Sequence, residues 1–302
     1  MNSDALVCVA GWEERFASGL KLDVDRFHPA EIVMIVFQEY LDETQTSRST
    51  VAAYAAENGI TCRELSVHRE PREVWDTLRT DFTNSAWSQK HVLLDITTMP
   101  REVIWWSLSF LQESGCDLRY VYHRPQSYSK EWLTRDTDRP RLVYQHSGIA
   151  KLGKPTALLL LNGFDSERAE QMVQFFEPRL LVVGLQLGEQ YENDERNYRR
   201  GERLDQLIRN IKTFEIDAYS TDHGFSAIVE QVKPLLPDYN IVAASLGPKT
   251  SAIAMFRVIA EFPEIALAYA PSRQFNIGYS SGIGDSIEGA VDSHRLNHEV
   301  PR

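Results

Sequence analysis

Short apolar runs typical of buried strands alternate with helical patterns along most of the chain. In the first half, strands are predicted over 5–10, 31–37, 61–67, 91–95 and 118–123, and helices over 47–58, 71–87 and 101–114. Parallel neighbouring strands need a crossover connection, which a helix provides, so this alternation predicts βαβ units and a parallel sheet. The fold class is therefore predicted to be α/β.

The second half repeats the order of elements. Strands are predicted over 156–161, 179–184, 213–219, 240–244 and 265–270, and helices over 166–176, 195–211, 224–236 and 250–261. Two turn sequences recur as well: 11–15 (GWEER) is similar to 163–168 (GFDSER), and 99–101 (MPR) is similar to 247–249 (GPK). Two unrelated α/β halves would share the order of elements but would hardly share both turns. We therefore predict two tandem Rossmann-like, doubly wound parallel-sheet units related by internal duplication.

Glycine and proline interrupt the periodicity at 148–155 (GIAKLGKP), which predicts a domain boundary there. The predicted domains are residues 1–150 and residues 151–302. The last part of the second domain, 285–302, is polar and aperiodic, and we expect only partial order in this tail.

Charge limits the classes of partner. The chain of 302 residues has a formal net charge of −11. Residues 1–150 carry 16 Lys and Arg against 22 Asp and Glu, and the remainder carries 16 against 21, so neither half resembles a basic nucleic-acid domain. Duplex nucleic acid is thus not expected as a partner, whereas a small phosphorylated ligand can still bind at a local basic site. The apolar stretches of the chain, such as 157–161, are too short to span a membrane, and no signal-peptide pattern is seen, so a cytoplasmic protein is expected.

Metal and cofactor motifs are absent from the sequence. The three cysteines are widely spaced without a CxxC pattern, and no histidine pair has the HExxH or HxH spacing of a metal site. Neither the GxxxxGK[ST] loop nor the GxGxxG fingerprint occurs, which disfavours P-loop and NAD chemistry. We predict no metal site and no cofactor.

The recurring turns follow the first and fourth strands of each half. In an open parallel sheet of Rossmann order, ligands bind outside the carboxyl ends of these two strands, where the winding direction reverses. Hydroxyl groups and basic side chains at a helix N-terminus suit an anion. The same residue types also serve as ordinary helix caps or ion-pair partners, but their occurrence after equivalent strands in both halves favours a binding site. The candidates are Asp95, Thr97, Thr98 and Arg101 in the first half and Ser245, Gly247, Lys249, Thr250 and Ser251 in the second.

Two other groups of residues lie near the predicted strand ends. Glutamate and arginine at the predicted helix starts, Glu14, Arg15 and Arg168, suit either ligand binding or capping, and the sequence leaves both open. The fifth strands are followed by 123–128 and the longer 271–284, whose side chains suit stacking on a base, although a packed turn is an alternative. The candidates there are His123, as an acid/base group, with Tyr128, Gln274, Asn276 and Tyr279.

One short motif carries a resemblance to a known family. An Asp-hydrophobic-Thr-x-x-x-basic pattern after the fourth strand is formed here by Asp95-Ile96-Thr97 and Arg101. Together with a motif after the first strand, it resembles the CRISPR-associated Rossmann-fold (CARF) sensors of cyclic oligonucleotides. The resemblance implies a nucleotide-binding role in bacterial defence, with the ligand held across the two-fold junction of paired domains. A tandem copy within one chain would then supply a built-in pseudo-dimer.

From these patterns we predict a cytoplasmic nucleotide-binding protein, with cyclic oligonucleotide sensing implied by the resemblance and the ligand held between strand-end loops of the two repeats. One alternative is an enzyme, a transferase or hydrolase acting on a nucleotide or sugar phosphate, with Lys249, Ser245 and either Glu13 or Asp95 as candidate groups. Another alternative is a duplicated scaffold for protein–protein interaction. A partner effector protein or a homodimer stays open, as does the question whether any reaction is catalysed.

Overall fold

The computed structural model describes residues 3–129, 131–188 and 204–291. The chain forms two compact units: the first comprises Met1–Lys130 and Ile277–Arg302, and the second comprises Glu131–Asn276. The strands are β1 (Ala5–Val9), β2 (Glu31–Phe37), β3 (Thr61–Val67), β4 (His91–Asp95), β5 (Asp117–His123), β6 (Ser127–Tyr128), β7 (Thr134–Thr137), β8 (Arg141–Leu142), β9 (Thr156–Leu161), β10 (Leu180–Gln186), β11 (Ile211–Ile216), β12 (Asn240–Ser245), β13 (Ala266–Tyr269), β14 (Ser272–Phe275), β15 (Ser280–Ser281) and β16 (Ser286–Ala290). The helices are α1 (Glu14–Phe27), α2 (Leu41–Glu57), α3 (Pro71–Phe82), α4 (Arg101–Ser114), α5 (Ser166–Phe176), α6 (Phe225–Val232) and α7 (Thr250–Glu261).

A six-stranded sheet, called sheet 1, forms the centre of the first unit. Its strand order is β16-β5-β4-β1-β2-β3, and all neighbours are parallel except β16, which runs antiparallel to β5. A separate two-stranded sheet pairs β6 with β15. Helix α1 packs against α2, and α3 packs against α4.

A second six-stranded sheet, called sheet 2, forms the centre of the second unit. Its order is β11-β10-β9-β12-β13-β8, and here β8 is the antiparallel outer strand, paired with β13. A two-stranded antiparallel sheet pairs β7 with β14, and α6 packs against α7.

The central strands are buried, whereas the outer ones are not. All five residues of β1 and the last five of β9 are buried, while β3 and β11 consist mostly of exposed and half-buried residues. Strands of a parallel sheet that are covered on both faces read as continuous apolar runs, such as ALVCV and ALLLL. Full burial of one Leu or Val side chain contributes about 1.5–3 kcal/mol. These runs therefore hold β1 and β9 at the centres of their sheets.

The predicted α/β class is confirmed, since each unit is built on a mainly parallel sheet with helices. The parallel strands of both sheets follow one order: third, second, first, fourth and fifth. This is the Rossmann order on which the predicted ligand site depends. An origin of the two sheets by duplication stays a prediction.

Helix boundaries differ from the predicted ones in the first unit. Helix α2 begins at Leu41 rather than at 47, because a 3-10 turn leads directly into it. The helix predicted over 71–87 ends at Phe82, and a separate 3-10 turn capped by Asn84 follows. The helix predicted over 195–211 lies mostly outside the described residues.

The two units divide the chain at other residues than the predicted boundary. The predicted boundary at 150/151 lies inside the second unit, whose β8 precedes it. Residues of the predicted polar tail form β16 in sheet 1, and 292–302 lie outside the described part of the chain. Periodicity did not reveal β8 and β16, because short outer strands carry too few apolar residues for a recognisable pattern. Among the described residues, no helix is long and apolar enough to cross a membrane.

In each unit, one glycine allows the loops after the first and fourth strands to approach closely. A Cβ at Gly11 would lie 2.6 Å from Thr98 Cγ2, and a Cβ at Gly163 would lie 1.8 Å from the carbonyl oxygen of Leu246. A side chain at either position would overlap its neighbour, so glycine is required. The two contacts differ in kind, because Thr98 opposes Gly11 with a side chain, whereas Leu246 opposes Gly163 with backbone.

Gly163→Ala is expected to lower the free energy of unfolding more than Gly11→Ala does. The backbone at Leu246 cannot move without disturbing β12, whereas the Thr98 side chain can shift, and overpacking costs about 1–3 kcal/mol. Urea unfolding followed by circular dichroism compares both variants with the parent chain. Equal losses, or a loss for Gly11→Ala alone, would contradict this difference in rigidity.

Candidate functional site

The loops after β1 and β4 meet at the carboxyl edge of sheet 1. β1 lies between β4 and β2, so the winding direction reverses between β1 and β4. The hydroxyl of Thr98 joins the two loops, because it donates to the carbonyl of Val9 over 2.6 Å. The equivalent point of sheet 2 lies between β9 and β12, where Ser245 pairs in register with Leu161. Both units therefore have the strand arrangement of a Rossmann-type ligand crevice.

A network of polar side chains follows β1 in the first unit. Arg15 donates through Nε to Glu13 over 2.7 Å and through a terminal nitrogen to the hydroxyl of Tyr279 over 3.2 Å. The other terminal nitrogen donates to the carbonyl of His123 over 3.0 Å. Glu13 also accepts from the hydroxyl of Tyr279 over 3.1 Å and from that of Ser280. All three guanidinium nitrogens and both carboxylate oxygens are thus hydrogen-bonded within the unit.

The charges of this network are paired. Burial lowers the pKa of Arg15, but the Glu13 carboxylate and the neighbouring tyrosine hydroxyls, that of Tyr279 first, together raise it well above its ordinary value, so the guanidinium stays charged. Burial and the same carboxylate raise the pKa of the Tyr279 hydroxyl, which stays neutral. One positive and one negative charge therefore neutralise each other. Arg15, a predicted ligand-binding residue, is engaged with the protein itself.

The predicted residues after β4 form a second buried cluster. Asp95 is fully buried; one of its oxygens accepts the N–H of Thr97 over 2.8 Å, and the other has no partner among the described residues. The Thr97 hydroxyl accepts the N–H of His123 over 3.0 Å. His123 is also hydrogen-bonded through Nε2 to Asp23 at 3.0 Å and through Nδ1 to the hydroxyl of Ser286 at 2.8 Å. The cluster thus links residues of β4, β5, α1 and β16.

The pKa values of Asp23 and His123 are both raised in this buried pair. Burial raises the pKa of Asp23 to about 7, although the hydrogen bond with His123 opposes this shift. Burial lowers the pKa of His123, but the hydrogen bond with Asp23 and the negative charges of Asp95 and Asp23 together raise it above its ordinary value. Both groups therefore release a proton at higher pH in the folded chain than in the unfolded chain.

Three further predicted residues of the first unit are less buried. Glu14 begins α1, is exposed and accepts the N–H of Gly282 over 3.2 Å. Arg101 begins α4 and is half-buried. Tyr128 stacks on Tyr279, with ring centroids 6.2 Å apart. Two predicted ligand-binding residues, Tyr128 and Tyr279, thus contact each other.

In the second unit, the carboxyl ends of three adjacent strands converge at Gly247. A Cβ at this position would lie 2.9 Å from the carbonyl oxygen of Asn162 and 2.6 Å from the amide nitrogen of Gln186. Asn162 follows β9 and Gln186 ends β10, while Gly247 follows β12. The side-chain oxygen of Asn162 accepts the N–H of Gly163 over 3.0 Å, but its Nδ2 has no partner in the described part of the chain.

Three predicted hydroxyl residues are buried within four positions of Gly247. Ser245 ends β12, and Thr250 and Ser251 begin α7; their exposed fractions are 3%, 0% and 0%. None of the three hydroxyl groups has a hydrogen-bond partner among the described residues. Lys249 directly precedes α7 and is half-buried. A buried polar group without a partner costs roughly 1–3 kcal/mol, which a bound acceptor would recover.

Arg168 is engaged within its own unit. Its side-chain Nε donates to the carbonyl of Ala270 over 2.7 Å. Its backbone N–H donates over 3.2 Å to the carboxylate of Asp165, the residue that caps α5. This arrangement corresponds to the capping alternative that the sequence left open.

The predicted loop 271–284 is divided between the units. Its first part pairs as β14 with β7 in the second unit, where Gln274 is exposed and Asn276 donates to the carbonyl of Trp132 over 2.9 Å. Residues 277–284 belong to the first unit. Tyr279 therefore lies with the residues that follow β1 and not with Gln274 and Asn276, which corrects the interpretation of 271–284 as one loop.

Sequence reasoning missed several residues of these clusters. Asp23 interrupts the apolar stripe of α1, and a carboxylate on a buried helix face is a recognisable signal. Asn162 directly follows a predicted strand, next to the recurring turn at Gly163, and the same placement argument would have found it. Ser286 has no such signal, because it lies in a polar, aperiodic segment. The other missed residues are Tyr122, Gln186 and Ser280.

Comparisons with known proteins support the fold. No protein-family model and no curated protein matches the sequence. Among solved structures, a type III CRISPR defence DNA nuclease activated by cyclic oligoadenylate is similar, with a TM-score of 0.51 and 10% sequence identity. The match covers 84% of this chain and 63% of the nuclease, so this chain spans less than two thirds of that protein. At this identity the likeness shows the fold alone.

A second solved structure aligns over more of the chain but less well. The cytoplasmic domain of a prokaryotic cation chloride cotransporter has a TM-score of 0.30 and 10% identity, with 93% of this chain and 98% of that domain covered. A score this low carries no argument about the fold or the function.

Tyr279→Phe is expected to lower the free energy of unfolding by about 1–3 kcal/mol, because it removes a buried hydroxyl that bonds both Arg15 and Glu13. Tyr54→Phe is the matched control, since the Tyr54 hydroxyl also donates to a carboxylate, that of Asp25, but at an exposed site. The control is expected to stay within about 0.5 kcal/mol of the parent chain. Urea unfolding measures both, and a control as destabilised as Tyr279→Phe would refute the role of burial.

The Asp23–His123 pair predicts that stability falls as pH rises. Between the ordinary pKa of an aspartate and about 7, the folded chain holds a proton on Asp23 that the unfolded chain has lost, and His123 extends this window upward. One extra proton in the folded state changes the stability by about 1.4 kcal/mol per pH unit, with a negative slope. Asp23→Asn is expected to remove most of the fall, and the exposed Asp25→Asn on the same helix is expected to keep it. Urea unfolding from pH 5 to pH 8 tests this, and parallel pH profiles for the two variants would contradict it.

Proposed function

We propose that this protein binds a nucleotide or a similar phosphorylated ligand at the carboxyl ends of β9 and β12. The observation that carries the proposal is a group of buried hydrogen-bond donors at this edge of sheet 2. They are the hydroxyls of Ser245, Thr250 and Ser251 and the Nδ2 of Asn162, none of which has a partner among the described residues.

The chemistry of these groups suits a phosphate. Each phosphate oxygen accepts more than one hydrogen bond, and the N-terminus of α7 adds a partial positive charge at the same place. Lys249, directly before α7, adds a full positive charge. Gly247 has no side chain, which lets the loop after β12 pack closely against Asn162 and Gln186 beside these donors. In a chain with a net charge of −11, this local group of donors is what attracts an anion.

The equivalent edge of sheet 1 suits a phosphate less well. Its strand-end carboxylate, Asp95, is fully buried, and its arginine, Arg15, is paired with Glu13. A negative charge beside a phosphate would repel it, and a paired guanidinium has fewer donors to offer. We therefore assign the phosphate groups of the ligand to the second unit. The expectation that both repeats share one ligand stays a prediction.

A cyclic oligonucleotide is the first ligand to test. The nuclease with a similar fold is activated by cyclic oligoadenylate, and the fold likeness covers 84% of this chain. In this proposal the ligand is bound and sensed, whereas conversion of the ligand would favour the alternative of an enzyme acting on a nucleotide or sugar phosphate.

Ser251→Ala is expected to abolish ligand binding without destabilising the free protein. The substitution removes a buried hydroxyl that has no partner among the described residues, so the unliganded chain should be as stable as the parent or more stable. Thermal unfolding with cyclic oligoadenylate and with mono-, di- and triphosphate nucleosides measures both effects. For the parent chain, a ligand at a hundred times its Kd adds about 2.7 kcal/mol.

Ser109→Ala is the matched control, since Ser109 is also a buried helix serine but its hydroxyl donates to the carbonyl of Trp105 over 2.9 Å. This variant is expected to keep the stabilisation by ligand and to lose some stability of the free protein.

Lys249→Ala should weaken the stabilisation by ligand, and Arg101→Ala reports whether the first unit takes part in ligand binding. A parent chain that no nucleotide stabilises would reject the proposal and favour a protein-binding scaffold, and product analysis of the same mixtures separates sensing from catalysis.

A further inference from the structure

A serine, a histidine and an aspartate form a hydrogen-bonded chain at the outer part of sheet 1. Ser286 Oγ lies 2.8 Å from His123 Nδ1, and His123 Nε2 lies 3.0 and 3.1 Å from the two oxygens of Asp23. A hydroxyl, an imidazole and a carboxylate in this order are the arrangement by which proteins activate a serine nucleophile. The proposed ligand site of the second unit uses none of these residues.

The carboxylate determines which imidazole nitrogen carries the proton. Once Asp23 and His123 have released their extra protons, which for Asp23 occurs above about pH 7, the carboxylate only accepts hydrogen bonds. Nε2 of the neutral imidazole then donates to Asp23, and Nδ1 accepts from the hydroxyl of Ser286. His123 therefore faces the serine as a base. Helix α1 holds the ring in this orientation, because a Cβ at Gly19 would lie only 2.4 Å from His123 Cδ2.

Burial differs along this chain of three residues. Asp23 and His123 are 2% and 1% exposed, whereas Ser286 is exposed. β16, which carries the serine, is the outermost strand of sheet 1 in the described part of the chain. The hydroxyl is therefore reachable from solvent, while its base lies in a low-dielectric surrounding that strengthens their hydrogen bond.

The backbone supplies a hydrogen-bond donor beside the serine hydroxyl. His123 and Ser286 are register partners on antiparallel strands, and the N–H of His123 donates to Thr97 and not to Ser286. The neighbouring N–H of Arg124 donates to the carbonyl of Asp285. Because hydrogen-bonded and non-hydrogen-bonded pairs alternate, His123 and Ser286 form a non-hydrogen-bonded pair. The N–H of Ser286 then points away from β5, where it can stabilise a developing oxyanion.

We propose that Ser286 is the nucleophile of a second, hydrolytic site, with His123 as its general base and Asp23 as a positioning residue. The neighbouring charges favour an uncharged substrate. Asp285 directly precedes the serine and is exposed, whereas Glu288 is ion-paired with Arg26 and Arg119. The Asp285 carboxylate repels an anionic phosphate ester, so the substrate class is a neutral carboxylic ester.

The reaction proceeds in two balanced steps. Ser286 Oγ forms a bond to the ester carbonyl carbon while its proton passes to His123 Nδ1; the bond to the alcohol oxygen then breaks, and the leaving alcohol takes that proton. Water next attacks the acyl carbon and gives a proton to His123. The bond to Ser286 breaks, the acid is released, and the serine oxygen recovers the proton. The sum is one ester and one water converted to one acid and one alcohol.

Reaction of the full chain with a fluorophosphonate probe, with the adduct mapped by mass spectrometry, tests the proposal. The probe is expected to modify Ser286 with loss of fluoride, and Ser286→Ala is expected to abolish both this adduct and the hydrolysis of p-nitrophenyl acetate. Without its general base, His123→Gln is expected to react about 10²-fold more slowly. Ser281→Ala, an exposed serine on β15 outside this group, is expected to react like the parent chain. No adduct, equal labelling of several serines, or an unchanged rate for His123→Gln would overturn the proposal.

Two further measurements do not depend on replacing the buried histidine. The thiol introduced by Ser286→Cys is expected to react with iodoacetamide about tenfold faster than the thiol introduced by Ser281→Cys, because a neighbouring imidazole favours the thiolate. Equal rates would overturn the role of His123. For Asp23, the nitrogen-15 spectrum of the imidazole reports its tautomer. Asp23→Asn is expected to redistribute the tautomers and to slow labelling together, and slower labelling with unchanged tautomers would overturn the positioning role.

Discussion

The reversal of winding between two adjacent parallel strands is the constraint on which the rest of each unit depends. The chain continues from β1 to β2 on one side and from β4 to β5 on the other, which opens a gap at the carboxyl edge shared by β1 and β4. In sheet 2 the same reversal opens a gap between β9 and β12. The gap remains narrow only because glycine stands at Gly11 and Gly163, where a Cβ would overlap the opposite loop. Helix N-termini follow both fourth strands, so polar groups collect at this edge in both units.

The two units satisfy their buried polar groups in different ways. In the first unit two charged pairs bind each other, Arg15 with Glu13 and His123 with Asp23, and one oxygen of Asp95 has no partner among the described residues. An ion pair without such partners would cost several kcal/mol to bury, and the hydrogen bonds of the network offset this cost. In the second unit, the hydroxyls of Thr250 and Ser251 remain without partners among the described residues. Hydroxyls cost less to bury than charges, and the second unit can therefore fold with a binding site still unfilled.

The parts of the fold that follow from hydrophobic periodicity were predictable, and the parts that follow from polar pairing were not. The buried runs of β1 and β9 indicated parallel strands, and their alternation with helices gave the α/β class. The placement of Ser245, Gly247 and Lys249 after a fourth strand followed from the same reasoning. No pattern in the sequence, however, tells whether an arginine such as Arg15 will meet a carboxylate of its own chain, because that depends on distant partners such as Tyr279.

The segment that contributes Tyr279 and Ser286 shows why periodicity failed there. Its residues supply hydrogen bonds to groups that are already buried: Tyr279 and Ser280 to Glu13, and Ser286 to His123. Without this segment, a buried carboxylate and an imidazole nitrogen of the first unit would lose these partners, and each unpaired group would cost about 1–3 kcal/mol or more. A strand selected to satisfy buried charges must itself be polar. The polar, aperiodic composition from 285 onward, from which only partial order was predicted, is therefore a consequence of its role in completing sheet 1 and the buried cluster around His123.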